Sequence, residues 1–491
     1  MAARSRPFRR PEPRKPIWRL TRPVPNVPTK QGSMRPALGP GEGSSATIAG
    51  NAMTASLPDD TILALSSGSL PAGIAVVRVS GPAAADTLGA LAGGLPEPRR
   101  ASLRRLRAGD GTEIDRALVL FFPGPASATG EDLAEFHLHG GRAVVAALTS
   151  ALLALPGLRL AQAGEFTRRA FTHGRIDLTE AEGLADLLAA ETEGQRLQAM
   201  AQAGGEARAL YERWMRQLSR IRALLEASFD FSDEGDVDDS VSAGTSEAVA
   251  NLRAEIEEHL AGAHRAEILR DGFRVAIAGA PNAGKSSLLN ALAAREVAIV
   301  SAIPGTTRDV IETRLDMEGL PILLSDTAGL RETEDEIEAI GVSRARARIE
   351  AADLVLHLID PAAPEETVIE AGSTPVLRVA TKADLPSTLP ANSDLSLSAR
   401  TGKGLDELTR RIAAFAREAA GDPAALLPAR ARHRDLLRQC AERLSAYDAA
   451  LPPEIAAETL RETSDRLGAL TGRVGVEDLL GLIFSEFCIG K

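Results

Sequence analysis

The spacing of apolar residues changes character twice along the chain. Over 61–80 two apolar runs flank a Ser/Gly/Pro stretch, which predicts strand, loop and strand. Another strand is predicted over 117–122 and a helix over 142–155. In Glu135-Phe136-His137-Leu138-His139 the alternation puts Glu135, His137 and His139 on one face of a strand. Residues 56–172 therefore predict a first α+β domain. From Thr179 the period becomes helical, over about 180–228 and 245–270, and it returns over about 429–487. Thr179 with Glu182 reads as a capping box at the first helix start. Between the helical blocks, 271–420 alternates strand and helix. The simplest account is a helical domain in two parts, 173–270 and 421–491, split by an inserted α/β domain with a mostly parallel sheet. Insertions succeed where chain termini lie close together. The expected class is a multidomain α/β and α+β protein.

Composition bounds this picture. The 491 residues exceed one core, and 44% hydrophobic with 25% charged is ordinary for a globular protein. Aromatic residues at 3% argue against a stacking platform for single strands. No apolar run is long enough to predict a membrane span. Two cysteines, Cys440 and Cys488, cannot build a disulfide framework, so a reducing cytoplasm is expected. The net charge of -11 is uneven: residues 1–52 hold ten Lys or Arg against Glu12 and Glu42, a net +8 that leaves -19 for the rest. With nine prolines and no periodicity, residues 1–55 read as a basic disordered extension. A targeting segment, an RNA-binding arm and a start assigned ahead of Met53 are the three readings, the last favoured.

The chemistry concentrates in the inserted domain. Gly279-Ala280-Pro281-Asn282-Ala283-Gly284-Lys285-Ser286 has the full phosphate-loop spacing, with an apolar strand before it and a helix opening at Ser287. Backbone N–H groups there wrap phosphates, Lys285 reaches the outer phosphates, and the Ser286 hydroxyl suits Mg²⁺. Ile303-Pro304-Gly305-Thr306-Thr307-Arg308-Asp309 reads as a switch loop with Thr307 as a second Mg²⁺ hydroxyl. Asp326-Thr327-Ala328-Gly329 supplies a carboxylate for the metal's water shell and an amide for the γ-phosphate. In Thr381-Lys382-Ala383-Asp384 the carboxylate accepts from guanine N1 and the exocyclic amine, a donor pair that adenine lacks. Ser398-Ala399-Arg400 supplies a backbone contact to the guanine oxygen.

Two positions depart from the usual pattern. Thr381 stands where an Asn is common and makes fewer hydrogen bonds than an amide. Leu330 follows Gly329 where small signalling GTPases place a water-orienting Gln. Asn282 beside the phosphates suits either a monovalent cation or simple stiffening of the loop. His137 and His139 suit packing or hydrogen bonding better than a metal.

The ending Phe487-Cys488-Ile489-Gly490-Lys491 is more discriminating, as are Gly130-Glu131-Asp132, His139-Gly140-Gly141 and Gly164-Glu165-Phe166-Thr167. On these motifs and the domain order, residues 57–491 resemble the MnmE (TrmE) family of tRNA-modification GTPases. The resemblance implies a homodimer working with an FAD-dependent partner protein, as a heterotetramer, on C5 of the wobble uridine of certain tRNAs. The product implied carries an aminomethyl-type group, such as carboxymethylaminomethyl. It implies a one-carbon unit from a tetrahydrofolate, 5-formyl or 5,10-methylene, held at Arg78, Glu135, Arg175 and Lys491. It implies potassium at Asn282, Ser301, Ile303 and Thr306, and Glu338 orienting the attacking water beside Lys285. A GTP-controlled ribosome- or RNA-binding switch without group transfer is the alternative; the acidic body and the tail motif weigh against it.

Overall fold

In the computed structural model the described residues are 60–230, 238–295, 297–298, 312–326, 346–362, 371–386, 390, 392–448, 452–474, 477–485, 487 and 489–490. The first part is a six-stranded sheet with three helices. In chain order these are β1 (Thr61–Leu65), β2 (Ala72–Ser80), α1 (Ala84–Ala92), β3 (Ser102–Arg107), β4 (Glu113–Phe122), β5 (Leu133–Gly140), α2 (Arg142–Leu153), β6 (Leu158–Leu160) and α3 (Glu165–Thr172). The strand order is β3-β4-β5-β2-β1-β6. Alternation decides the faces. Ala75, Val77 and Val79 of β2 join Ala134, Phe136 and Leu138 of β5 in a core roofed by Leu88 of α1 and Leu148 of α2. The opposite face carries Glu135, His137 and His139, as their spacing predicts, together with Arg78.

Helices follow: α4 (Leu178–Ala189), α5 (Glu193–Ala203), α6 (Glu206–Asp230), α7 (Asp238–Ala261) and α8 (Ala263–Asp271). The capping box at the start of α4 is not Thr179 with Glu182. Asp177 is the cap: its carboxylate accepts from the Glu180 N–H at 2.8 Å, and Glu180 answers the Asp177 N–H at 2.7 Å. A carboxylate accepts more readily at a helix N-terminus than a hydroxyl, and Thr179 instead donates to that carboxylate at 2.8 Å. The helical stretch expected over about 180–228 is three helices. Thr192 and Gln195 form a second capping box, and Gly205, at φ 83, turns the chain between α5 and α6.

The inserted part holds β7 (Phe273–Gly279), α9 (Lys285–Arg295), β8 (Val297–Ala298), β9 (Glu312–Met317), β10 (Leu320–Asp326), β11 (Leu354–Ile359), β12 (Val376–Ala380), β13 (Leu395–Ser396) and α10 (Leu405–Ala420). Its sheet runs β13-β12-β11-β7-β10-β9-β8, parallel except where β9 meets its two neighbours. Val275 and Ile277 of the central strand are fully buried, as a parallel strand covered on both faces requires. The chain then returns through α11 (Ala431–Ser445), α12 (Pro453–Thr471) and α13 (Glu477–Ser485). Leu437 and Cys440 of α11 and Leu460 and Leu467 of α12 share one core with Trp214 and Leu218 of α6 and Leu252 and Ile256 of α7. Helices from both sides of the inserted sheet thus close a single bundle. No helix among the described residues is long and apolar enough to cross a membrane.

Candidate functional site

The C-terminal ends of parallel strands gather loops at one edge of the sheet, where ligands of open α/β sheets bind. There β7 runs into the phosphate loop at Gly279, whose φ of 149 and close approach to the Leu358 carbonyl exclude a side chain. Asn282 (φ 64) and Gly284 (φ 96) take left-handed conformations, which turn successive N–H groups inward. Asn tolerates that conformation better than most residues. The Asn282 side chain is exposed. Ala283 is buried against the sheet, and Lys285 opens α9 with 8% exposure. The Lys285 Nζ donates to the carbonyls of Gly279 at 2.8 Å and Ala280 at 2.9 Å. Those bonds hold the ammonium inside the loop. Ser286 and Ser287 occupy the first turn beside it. Asp326 ends β10, directly paired with Ile277 of β7, so its backbone stands next to the phosphate loop.

A second cluster forms after β12. Asp384 accepts from the Ser398 hydroxyl at 2.6 Å, a bond that holds its carboxyl below the usual carboxylate range. The Arg400 Nε lies 3.8 Å from the other carboxylate oxygen, on a side chain 83% exposed. The Ala383 N–H donates to the Leu397 carbonyl at 3.0 Å, which ties this loop to Ser398 and Ala399. Lys382 is paired with Asp360 at the end of β11 at 2.5 Å. Thr381 turns inward: its hydroxyl donates to the Ala283 carbonyl at 2.8 Å. The sequence reading treated Thr381 as a weakened base contact and missed this bond, because no local pattern marks two loops 98 residues apart as neighbours. The Ser398–Asp384 bond was also missed; only the order of the two motifs hinted at it.

A third cluster lies on the first sheet. Arg78 stands directly opposite Glu135 and donates to its Oε1 from Nε at 3.1 Å and from Nη2 at 2.9 Å. His137 Nε2 lies 3.0 Å from the other oxygen. Burial works to raise the Glu135 pKa, but His137 and Arg78 outweigh it and hold the carboxyl below its ordinary value. His139 bonds Asp115 at 2.8 Å. Among the described residues no His, Cys, Asp and Glu group is arranged for a metal ion. The end of the chain comes to the end of β1, the neighbour of β2 in this sheet. Ile489 bridges to Ala163, and the Gly490 carbonyl accepts from the Ser66 hydroxyl at 2.8 Å, one residue past β1. In the β1–β2 pair Ala64 faces Arg78. Arg175 is exposed beside Gly130, and no contact among the described residues joins it to Arg78 or Glu135.

The motifs around Glu131 and Glu165 meet in a buried clamp. Arg169, 0% exposed, reaches Glu131 at 3.0 Å, Asp60 at 2.7 Å and Glu165 at 3.2 Å. Burial would raise the Glu165 pKa, yet Arg159 chiefly, with the Gln162 N–H and Arg169, takes it down to about 2. The four-residue spacing of Glu165 and Arg169 was the signal available for it. Ser301, Ala302, Ile303, Pro304, Gly305, Thr306, Thr307, Thr327, Ala328, Gly329, Glu338, Cys488 and Lys491 lie outside the described residues, as does the Asp326 side chain.

A phosphate loop opening a helix at the edge of a mostly parallel sheet, with a carboxylate held for a guanine edge, defines a P-loop GTPase. Two family models match the chain: "GTP-binding protein TrmE N-terminus" over 61–175 and "MnmE helical domain" over 178–488. The tRNA modification GTPase MnmE of Rhizobium meliloti (strain 1021) is 53% identical over 445 residues, 89% of this chain and 100% of that one. The chain belongs to the MnmE family of tRNA modification GTPases. The relative of the same name from Sinorhizobium medicae (strain WSM419) is 53% identical over 438 residues, 88% of this chain and 99% of that one. Among solved structures, the G domain of the T. maritima FeoB iron transporter is 28% identical with a TM-score of 0.24, covering 29% of this chain and 98% of that one.

Proposed function

We propose that this GTPase uses GTP hydrolysis to drive modification of tRNA at C5 of the wobble uridine, with a one-carbon unit from a tetrahydrofolate and an FAD-dependent partner protein. The observation that carries the reading is where the tail lands. One polypeptide holds a phosphate loop and also brings Ile489 and Gly490 back to the strand pair bearing Arg78, beside Glu135. The 2-amino-4-oxo ring of a pterin presents the same N–H pair as guanine. Glu135 suits it as Asp384 suits the base, and Arg78, Arg175 and Lys491 suit the acidic groups of a folate.

In the GTPase site, Lys285 and the loop amides neutralise the outer phosphates. The Ser286 and Thr307 hydroxyls are the Mg²⁺ ligands, with Asp326 acting through water. Asn282, Ser301, Ile303 and Thr306 hold potassium, and Glu338 orients the attacking water where Leu330 has no polar atom to do so. The protein works in the cytoplasm as a homodimer that joins its partner in a heterotetramer. The face of the first sheet that carries Glu135 exposes Leu103 at 70% and Leu118 at 43%, opposite one another on β3 and β4, a surface suited to a second copy. The test is mass analysis of tRNA nucleosides from cells lacking the chromosomal copy and supplied with wild type, Lys285→Ala or Glu135→Ala. Wild type restores the modified wobble uridine and neither variant does; full restoration by both would reject the reading.

A further inference from the structure

We infer that this chain recognises guanine without reading N7 of the purine, because Thr381 is a strut between two loops rather than a base contact. The inference rests on the GTPase reading of the site and concerns its specificity. Thr381 is 3% exposed. Its hydroxyl carries one proton, and both oxygens within reach are carbonyls, Ala283 at 2.8 Å and Ile359 at 3.2 Å. A carbonyl only accepts, so that proton is committed to the protein. Purine N7 also only accepts, and so it cannot be served by the same hydroxyl. An Asn at this place would differ, since an amide has two N–H groups to give as well as an oxygen. What Thr381 does hold is the phosphate loop. Ala283 lies in its middle, and the Thr381 N–H anchors the other side to Ile359 of β11 at 2.8 Å. Base and phosphate loops are thereby fixed against each other, and discrimination falls on Asp384, steadied by Ser398 at 2.6 Å.

The test compares GDP with 7-deaza-GDP, which differ only in a C–H replacing N7. Equilibrium binding is measured on the full chain, wild type and with Thr381→Asn, Thr381→Ser and Thr381→Val. Wild type should bind both within about twofold, whereas loss of one hydrogen bond would appear as roughly fivefold or more. Thr381→Asn should acquire that preference for GDP. Thr381→Val should weaken both nucleotides by the same factor, and Thr381→Ser should recover them. A wild type that prefers GDP by about tenfold overturns the inference whatever the variants do. Unchanged binding by Thr381→Val overturns the strut. Wild type binding neither nucleotide would instead reject the GTPase reading beneath it.

Discussion

Glu182 is the residue whose chemistry is most constrained by the fold. Its carboxylate, 2% exposed, accepts from Arg432 Nη2 at 2.8 Å and meets His433 Nε2 at 2.7 Å. Burial alone would raise its pKa, but His433 and then Arg432 outweigh burial and depress it well below 4.5. A depressed carboxylate stabilises the fold above its unfolded value, and that contribution is lost as pH falls through its folded value. Glu182→Gln leaves the Arg432 guanidinium without the carboxylate that neutralises it. It should cost about 3–5 kcal/mol in urea unfolding at neutral pH. The difference between wild type and variant should hold down to about 4.5 and shrink as pH falls below it; a difference that stays constant well below 4.5 would show that the charge is not what matters. In sequence, Glu182 looked like the partner of Thr179, three positions away. Its real partners lie 250 and 251 positions on, and a local pattern carries no trace of a pairing that only the closed bundle creates.

At the scale of elements, the readable features were those set by nearest neighbours. Alternation located β2 and β5, and the apolar run before the phosphate loop located β7, because side-chain period is a local property. The breaks at Thr192 and Gly205 were present as capping and glycine signals but were read through, since helical periodicity continues across them. The tail docks through backbone geometry that periodicity does not encode. A Cβ on Gly490, at φ 101, would run into the Leu65 carbonyl, and one on Gly164 would run into the Phe484 carbonyl. Gly490→Ala should therefore lift the tail from β1. A titration with 5-formyl-tetrahydrofolate should show roughly tenfold weaker binding, with GDP affinity unchanged. Equal folate binding in the variant would separate the tail from that site.

Across the whole molecule, the change of period from strand to helix and back marked the stretches where strands and helices alternate, while the contacts between those stretches were not legible. The turn between β9 and β10 rests on the start of α5, where the Gly194 N–H donates to the Gly319 carbonyl at 2.8 Å. β10 ends at Asp326 beside the phosphate loop, so one hairpin touches both the nucleotide site and the helical bundle. That placement gives nucleotide state a physical route to the remainder of the chain, provided a guanine nucleotide is held as described. The most direct measurement is equilibrium binding of GDP and xanthosine diphosphate to the full chain and to Asp384→Asn, in magnesium and potassium. Xanthine carries an oxygen where guanine carries an amine, so a carboxylate suits one base and an amide the other. Wild type should favour GDP by about a hundredfold and the variant should reverse the preference. Failure of the wild type to bind GDP, or an unchanged preference in the variant, would contradict the account.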